Sequence, residues 1–268
     1  MNSSIIGLLT DFGISDTYVG SMKAAIYQVA PKATIVDICH HISPQNVLEA
    51  AFVLRTVMHD YPAGMIFVAV VDPEVGTARK ALLMTAGDYY FIGPDNGIFS
   101  YPYTEETVGD VISLENENFF RRPTSATFHG RDIFGPCAGL LSQGTEPIAF
   151  GPLLKDKPKL LQIPYPVYDE ADRTLTGQVM RSDRFGNLIT NIHRSDVEQI
   201  GWDKQTNDKV IEIVDWTIPV TSQYAHDKED PLCALWGSAN FLEIAARQAS
   251  AYEILDIMPA EPAKLRVV

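Results

Sequence analysis

The sequence has 268 residues, which is enough for one large domain or two modest ones. Hydrophobic residues make up 46% of it, so the chain can bury a sizeable core and is not disordered as a whole. The formal net charge of -13 repels polyanions and argues against nucleic acid as a partner.

Apolar runs and segments of helical spacing alternate through the first half of the chain. In order, they predict a buried strand at 5–10, a helix at 18–29, a buried strand at 33–38, a helix at 46–60, a buried strand at 65–71 and shorter strands at 81–86 and 89–93. This alternation predicts right-handed crossovers and a largely parallel sheet, in which ligands collect at the carboxyl ends of the strands. Asp11 and Asp72 directly follow two of these strands, so both should line one crevice.

A proline-rich stretch divides the sequence. Four prolines fall between residues 152 and 166, and the helical spacing fades beyond them. We therefore predict a first domain at 1–165 and a second, small and mostly β, at 166–268. The second domain is predicted to contain strands at 175–180, 188–192 and 210–214 and one late helix at 241–249.

The cysteines and the N-terminus bear on the cellular compartment. Cys39, Cys137 and Cys233 are odd in number and far apart, so neither a disulfide framework nor a zinc ribbon is expected. Residues 1–10 lack the features of a signal peptide, and no apolar run approaches the ~20 residues of a membrane span. We therefore expect a cytoplasmic protein that does not bind a membrane.

The densest group of titratable side chains lies in the segment 127–136 (TFHGRDIFGP). It includes His129, and the apolar run that follows should enter a core, where pKa values are most easily moved. Together with Asp72 and Arg79, His129 could bind and deprotonate a water molecule, because a base accepts the proton while the cation stabilises the hydroxide. Alternatively, Asp72 caps a turn, Arg79 forms a surface pair and His129 caps a helix.

Other candidate sites are less specific. Asp37, His40 and His41 could contribute to a zinc or iron site, but no further ligand follows at a telling spacing. The segment 181–191 could stack on and hydrogen-bond a nucleobase, although it also fits a tight turn between strands. The glycine-rich signatures of dinucleotide and phosphate binding are absent from the sequence.

Six short motifs carry a resemblance to a known family. They are 10–13 (TDFG), 72–77 (DPEVGT), 93–97 (GPDNG), 127–132 (TFHGRD), 183–187 (DRFGN) and 237–238 (GS). With them, the chain resembles the S-adenosyl-L-methionine (SAM) hydroxide adenosyltransferases from about residue 5 to residue 260. These are adenosine-forming SAM hydrolases, related to the fluorinases and chlorinases.

The resemblance implies the fold class α/β, with an N-terminal α/β domain around a central, mostly parallel sheet and a C-terminal β-barrel-like domain. It also implies a homotrimer, in which SAM lies between the N-terminal domain of one subunit and the C-terminal domain of its neighbour. The implied reaction converts SAM and water to adenosine and L-methionine. It needs no metal and no organic cofactor, since SAM is the substrate.

By position, the family's water-activating triad corresponds to Asp72, Arg79 and His129. Either His129, oriented by Asp72, or Asp72 itself accepts the proton, and the sequence leaves both open. The carboxylate that holds the ribose hydroxyls corresponds to Asp11. The other implied substrate-binding positions are Phe128, Gly130, Asp183, Phe185, Asn187 and Ser238.

The departures from the halogenases favour water as the nucleophile. Asp72 stands where those enzymes have a tyrosine, and its negative charge would oppose a bound halide. Gly130 stands where they have a serine that contacts the halide. Ala239 and Gln45 replace an arginine near the adenine and a tryptophan over the ribose, which bears on affinity rather than on the reaction.

Two rival hypotheses use much of the same pocket. The first is a metal-dependent hydrolase, with ligands drawn from Asp11, Asp37, His40 and His129. The second is a non-catalytic sensor that binds SAM or adenosine. Loss of activity with a chelator would support the first hypothesis, and tight binding without turnover would support the second.

Overall fold

A computed structural model describes residues 5–202, 209–224, 231–257, 259–260 and 262–267 of the chain. The chain divides into two compact units, Met1–Ile163 and Pro164–Val268. None of the described helices combines the length and the apolar character that crossing a bilayer requires.

In the first unit, strands and helices alternate in the predicted order up to the third strand. The strands are β1 (Ile5–Thr10), β2 (Thr34–Cys39), β3 (Ile66–Val70), β4 (Ala81–Ala86), β5 (Tyr89–Pro94) and β6 (Val108–Ser113). The helices are α1 (Tyr18–Val29), α2 (Val47–Val57), α3 (Ser100–Glu105) and α4 (Gly135–Ser142). A π-helical turn, Gly130–Phe134, leads directly into α4.

One six-stranded sheet organises the first unit, in the order β2-β1-β3-β5-β4-β6. β1 pairs in parallel with β2 and β3, and β3 with β5, whereas β4 pairs antiparallel with β5 and β6. The prediction of a largely parallel sheet is therefore confirmed. Thr10 at the end of β1 lies opposite Val70 at the end of β3, so the residues that follow them meet at one edge of the sheet.

Successive residues of β3 serve opposite faces of this sheet. Val68 packs in the cluster that includes Met22 of α1, whereas Phe67 packs in the cluster that includes Leu54 of α2. All four side chains are fully buried. Because helices cover both faces, the strand is apolar throughout rather than alternating.

The prediction that the second strand is buried is wrong. The residues of β2 are exposed or half-buried, with none in the core. β2 lies at the edge of the sheet, next to β1, and so only one of its sides is covered by a neighbouring strand. An apolar run of this length fits a central strand and an edge strand equally well.

The second unit is mostly β in its described part. Its strands are β7 (Val167–Asp169), β8 (Thr174–Ser182), β9 (Leu188–His193), β10 (Lys209–Ile213), β11 (Trp216–Pro219), β12 (Leu232–Trp236), β13 (Phe241–Ala246) and β14 (Pro262–Val267). Two short helices are α5 (Arg194–Gln199) and α6 (Ala251–Leu255).

These strands form a nearly closed antiparallel sheet. The order is β11-β10-β14-β8-β9-β13-β12, with β7 beside β8. The two ends approach each other where Val220 bridges Ala234, and Thr221 N donates to the Ala234 carbonyl over 2.7 Å. Apolar side chains such as Leu175 and Ile211 fill the interior. The expected β-barrel-like domain is therefore confirmed.

The helix predicted at 241–249 is wrong. Residues 241–246 form β13, which pairs with β12 and β9. Leu242 and Ile244 face the barrel interior, while Ala245 packs in a separate small cluster on the other side. Apolar residues on both faces hide the period of two, and the segment FLEIAA contains several good helix formers.

Candidate active site

A pocket of about 480 Å³ opens at the carboxyl ends of β1 and β3 in the first unit. Asp11 and Asp72 line it, as the strand pattern predicts. Phe128, His129 and Gly130 line it as well. The structure thus brings together residues from three segments that are far apart in the sequence.

Arg79 joins Asp72 to His129 beside this pocket. Its Nε donates to Asp72 Oδ1 over 3.0 Å, and its Nη2 donates to the other carboxylate oxygen. The same Nη2 lies 2.7 Å from His129 Nδ1. The Arg79 and Asp72 side chains are 2% and 5% exposed, so a surface pairing of Arg79 is excluded. A guanidinium that forks onto a carboxylate in this way fixes both groups.

The turn at 72–79 brings the two ends of this ion pair together. Gly76 within it has a φ of +78°, and a Cβ there would lie 2.3 Å from the carbonyl oxygen of Ala126. Only glycine fits such a position. The close approach packs the turn against the chain that leads to His129, and so it helps to bring His129 within reach of Arg79.

The contact with Arg79 fixes the protonation of His129. A guanidinium can only donate, so Nδ1 accepts and the ring proton is on Nε2. Burial lowers the pKa of His129, and the Arg79 cation lowers it further, against the opposing effects of Asp72 and Asp132. His129 is therefore neutral at neutral pH.

Aromatic rings form an apolar wall of the same pocket. The Phe128 ring packs edge-on against Phe12 and Tyr18, with centroids 5.7 and 5.4 Å away. Gly130 lies against this wall, since a Cβ at that position would be 3.3 Å from the Phe12 ring. Apolar walls keep bulk water from a site in which charged groups react.

Asp132 anchors the segment that carries His129. Its side chain is fully buried and receives hydrogen bonds from Arg131 over 2.6 and 2.8 Å, from Arg121 over 3.2 Å and from the Ser125 N–H over 2.8 Å. Burial raises the pKa of Asp132, but these hydrogen bonds outweigh it and hold the pKa below its ordinary value. From the sequence, Asp132 is one of the titratable residues of the segment 127–136, but the sequence pattern indicates no role for it.

Asp11 is held at the pocket by a strained backbone. The N–H of Gln45 donates to Asp11 Oδ2 over 2.9 Å. Gln45 adopts a φ of 65°, in the left-handed region that non-glycine residues rarely enter. Such conformations cost roughly 1–3 kcal/mol and persist where the surrounding structure requires them. Both residues line the pocket, which makes the arrangement a candidate ligand contact.

A second pocket, of about 900 Å³, lies within the second unit. Asp183, Phe185, Asn187 and Ser238 all line it. The Asp183 carboxylate accepts from the N–H groups of Phe185 and Asn187 over 2.8 and 2.9 Å, and from the Asn187 amide over 2.9 Å. The tight turn weighed from the sequence is therefore present, and it presents the Phe185 side chain, which is 77% exposed.

Two further side chains of the second pocket were missed by sequence reasoning. The Tyr224 hydroxyl lies 3.4 Å from Glu243 Oε2 and donates to it. Burial raises the pKa of Glu243, and the Asp183 carboxylate raises it further, against the lowering effect of the Tyr224 hydrogen bond. The one available signal was a carboxylate within an otherwise apolar segment, FLEIAA.

The candidate metal ligands near β2 bind each other or face solvent. His40 uses Nδ1 toward Thr10 and Nε2 toward Asp37, over 2.8 and 3.0 Å. His41 is exposed. Within the described ranges, no group of three or more His, Cys, Asp or Glu side chains could hold a metal ion.

Fold and pockets together define a class of protein. It has an α/β domain in which a buried Asp–Arg ion pair contacts a half-buried His, and an antiparallel, barrel-like domain with a polar, aromatic pocket. Family models for the N-terminal and C-terminal domains of SAM hydroxide adenosyltransferase match residues 6–151 and 177–264. The chain belongs to the SAM hydroxide adenosyltransferase family.

Individual relatives agree with this assignment over nearly the whole chain. An (R)-S-adenosyl-L-methionine hydrolase of Thermus thermophilus is 33% identical over 264 residues, covering 96% of this chain and 97% of the relative. A fluorinase of Nocardia brasiliensis is 27% identical, covering 92% and 91%. The crystal structure of an uncharacterized conserved protein from Thermotoga maritima matches with a TM-score of 0.90 at 34% identity. The match covers 98% of this chain and 100% of that protein's chain.

Proposed function

We infer that this protein hydrolyses SAM to adenosine and L-methionine. The observation that carries the inference is the Asp72–Arg79–His129 group at a pocket, with a buried Asp72–Arg79 ion pair, in a chain of the SAM hydroxide adenosyltransferase family. A hydrolase of the same family is similar over nearly its full length. These residues are the catalytic residues of the proposed reaction.

The difficult part of this reaction is the generation of the nucleophile. The water oxygen bonds to the ribose 5′-carbon as the bond from that carbon to sulfur breaks, and the electron pair stays on sulfur, which becomes the neutral thioether of methionine. The sulfonium is a good leaving group and needs no acid. Water is a weak nucleophile, with a pKa of ~15.7 in bulk, so a nearby base must take its proton.

We propose that Asp72 takes this proton and that His129 holds the water. Nδ1 of His129 already accepts from Arg79, so the ring offers a donor at Nε2 and no lone pair to the water. Each Asp72 oxygen accepts from Arg79 and still has a lone pair available. The Arg79 cation stabilises the hydroxide that forms.

The remaining substrate contacts are proposed from the family resemblance and the two pockets. Asp11 binds the ribose hydroxyls, and Phe128 and Gly130 contact the substrate beside it. The residues proposed to bind adenine and the methionine end all lie in the second pocket, namely Asp183, Phe185, Asn187 and Ser238.

We also propose a homotrimer in which the second pocket of one subunit completes the first pocket of its neighbour. The support is that the implied SAM contacts divide between two compact units and that Phe185, an aromatic at the second pocket, is 77% exposed. Phe185 also lines the second pocket, and aromatic side chains beside a pocket are common anchors of binding interfaces.

A cytoplasmic location and a reaction without metal or organic cofactor complete the proposal. Cys39, Cys137 and Cys233 form no disulfide with one another, which fits a reducing compartment. The leaving group of SAM carries its own positive charge, so no further electrophile is needed at sulfur.

The similar hydrolase is named for the (R) form of SAM. Because "L" already fixes the amino-acid centre, we take (R) to denote the sulfonium sulfur, which is pyramidal and has three different substituents. We propose the same preference here. The methyl group and the methionine arm exchange places between the two epimers, so a site that fixes adenosine can accommodate the arm of one epimer only.

The test is incubation of the purified protein with each SAM epimer, with and without a chelator, followed by chromatography of the products. We expect equal amounts of adenosine and methionine, faster from the (R) epimer and unchanged by the chelator. Tight binding of SAM without products would contradict the hydrolase and favour a sensor. Chelator-sensitive turnover that returns with zinc or manganese would favour the metal-dependent hydrolase.

A further inference from the structure

We propose that His40 is a positioning residue for the proposed reaction, acting through Thr10 to hold the loop that carries Asp11. The proposal rests on the proposed function, in which Asp11 binds ribose. His40 lies outside the pocket lining and is 4% exposed, so it acts on the substrate only through other residues.

The hydrogen bonds of His40 form a continuous series that is buried at Thr10 and His40 and reaches partly exposed side chains at Asp37 and Lys23. Nδ1 of His40 lies 2.8 Å from the hydroxyl of Thr10, which is fully buried at the end of β1. Nε2 lies 3.0 Å from Asp37 Oδ1 on β2. The other Asp37 oxygen pairs with Lys23 of α1 over 2.6 Å. Three elements of the first unit are therefore tied together beneath the pocket.

One proton assignment satisfies every atom of this series. The Asp37 carboxylate can only accept, so Nε2 of His40 carries a proton and donates it. Nδ1 then accepts from the Thr10 hydroxyl, which leaves the Thr10 oxygen to accept from the Phe12 N–H over 3.2 Å. Burial raises the pKa of Asp37, but the hydrogen bonds from Lys23 and His40 outweigh it and lower the pKa. The Asp37 carboxylate therefore stays charged and keeps the proton of His40 on Nε2.

The contacts of His40 and Thr10 hold the backbone on both sides of Asp11. Thr10 precedes it and binds the N–H of Phe12, while the His40 carbonyl accepts from the N–H of Gly13 over 2.7 Å. His40 thus restrains the backbone of the turn twice, once through its side chain and once through its own carbonyl. The direction of the Asp11 carboxylate follows from this backbone and from its contact with Gln45.

The order Thr–His–Asp is that of a nucleophilic triad, but the geometry excludes that role. The Thr10 side chain has no exposed surface, so no substrate can reach its hydroxyl. Its hydroxyl proton is donated to His40, and its oxygen accepts from the Phe12 N–H. The arrangement fixes a loop.

The experiment compares Thr10→Val, which removes the hydroxyl and keeps the branched shape, with Thr10→Ser, which keeps the hydroxyl. We expect Thr10→Val to raise the KM for SAM about tenfold with kcat changed less than about threefold, and Thr10→Ser to stay within about twofold of the wild type. Thr190→Val is the matched control. Thr190 is also fully buried and also accepts from the N–H two residues on, over 3.2 Å, but it lines neither pocket.

A double-mutant cycle with Asp11→Asn separates positioning from stability. If His40 and Thr10 act through Asp11, the effect of Thr10→Val on KM should shrink from about tenfold to less than about twofold in the Asp11→Asn background. An equal effect in both backgrounds, or a lowered Tm with unchanged KM, would overturn the proposal. Should Thr10→Val fail to fold, Asp37→Ala serves in its place, because it removes the acceptor for His40 Nε2 and the Asp37 side chain is 45% exposed, so its loss leaves no buried cavity.

A binding measurement keeps the two proposals apart. If the wild type does not hydrolyse SAM, the proposed function fails, and calorimetric titration with adenosine is then run on the same variants. About tenfold weaker adenosine binding in Thr10→Val, lost in the Asp11→Asn background, would still support the positioning role. Unchanged binding, or no binding by the wild type, would overturn it.

Discussion

Arg79 occupies the centre of the candidate active site because its guanidinium contacts two different partners. It holds the Asp72 carboxylate and also the Nδ1 atom of His129. The sequence suggests that these three residues act together, but the residues alone do not show whether their side chains meet. Spacing alone left a surface pairing for Arg79 equally open, because the residue types do not specify which side chains are buried. The 2% exposure of its side chain decides the matter.

The lowered pKa of His129 predicts a pH dependence of activity. As the pH falls through this pKa, which lies below the ordinary value of about 6.5, Nδ1 gains a proton and can no longer accept from Arg79. We expect kcat to be level around neutrality and to fall on the acid side with an apparent pKa below about 6.5. Steady-state kinetics across this range measure it.

Stability should follow the same titration. The unfolded chain binds a proton at His129 near pH 6.5 while the folded chain resists it, so this residue destabilises the fold as the pH falls through about 6.5. Urea unfolding of the wild type and of His129→Asn should therefore show the wild type losing relative stability on the acid side. If the difference in the free energy of unfolding is constant with pH, or grows in favour of the wild type as the pH falls, the lowered pKa of His129 is refuted.

At the scale of elements, the site depends on the segment between β6 and α4. The π-helical turn Gly130–Phe134 carries Asp132 inward, where it receives hydrogen bonds from Arg131, Arg121 and the Ser125 backbone. This anchoring fixes the chain on both sides of His129. Removing one partner of a buried ion pair is costly even where the intact pair adds little net stability, because the other charge is left without a partner.

Asp132→Asn should therefore destabilise the protein by about 3–5 kcal/mol at neutral pH. Because the pKa of Asp132 is lowered by its hydrogen bonds, its contribution is present above the unfolded value of about 3.9 and is lost as the pH falls through the folded pKa. Chemical denaturation at several pH values should show the deficit of the variant shrinking in acid. Asp110→Asn, at an exposed position of β6, is the control and should stay within about 0.5 kcal/mol of the wild type. A loss at Asp132 no larger than at Asp110 would contradict the anchoring role.

Much of the element order could be predicted, and the errors have a common cause. The helix α1 and the strand β3 carry clear periodic or continuous apolar patterns, and their placement follows from them. β13 was taken for a helix because both of its faces are covered, and β2 was taken for a buried strand although it lies at an edge. In both cases the neighbours of the strand decide its burial, and neighbours far along the chain are not part of a local pattern.

At the scale of the whole molecule, the implied substrate contacts divide between the two units. Asp11, Asp72 and His129 lie in the first unit, and Asp183 and Asn187 lie in the second. The family motifs predicted which residues belong to each pocket. The proposal that neighbouring subunits share their sites rests on the family resemblance alone. No composition or periodicity specifies a symmetric assembly of this kind.

Complementation tests the shared site. Asp72→Asn and Asn187→Ala should each abolish turnover, since one disables the first pocket and the other the second. In trimers that are co-expressed from both variants and purified through two tags, about a third of the sites, one in each mixed trimer, should combine two intact halves if neighbours share them. Recovered activity, with a light-scattering mass three times the 29.6 kDa of the chain, is the expected result. No recovery in confirmed mixed trimers would mean that each site lies within one subunit.

The central claim is that water, activated beside Arg79, attacks the ribose 5′-carbon of SAM. Its most direct test is turnover in oxygen-18 water, with mass spectrometry of both products. We predict one labelled oxygen in adenosine, none in methionine, and turnover slowed at least about 100-fold in Arg79→Lys, whose ammonium cannot fork onto Asp72 and also reach His129. Unlabelled adenosine, or wild-type rates in Arg79→Lys, would contradict the claim.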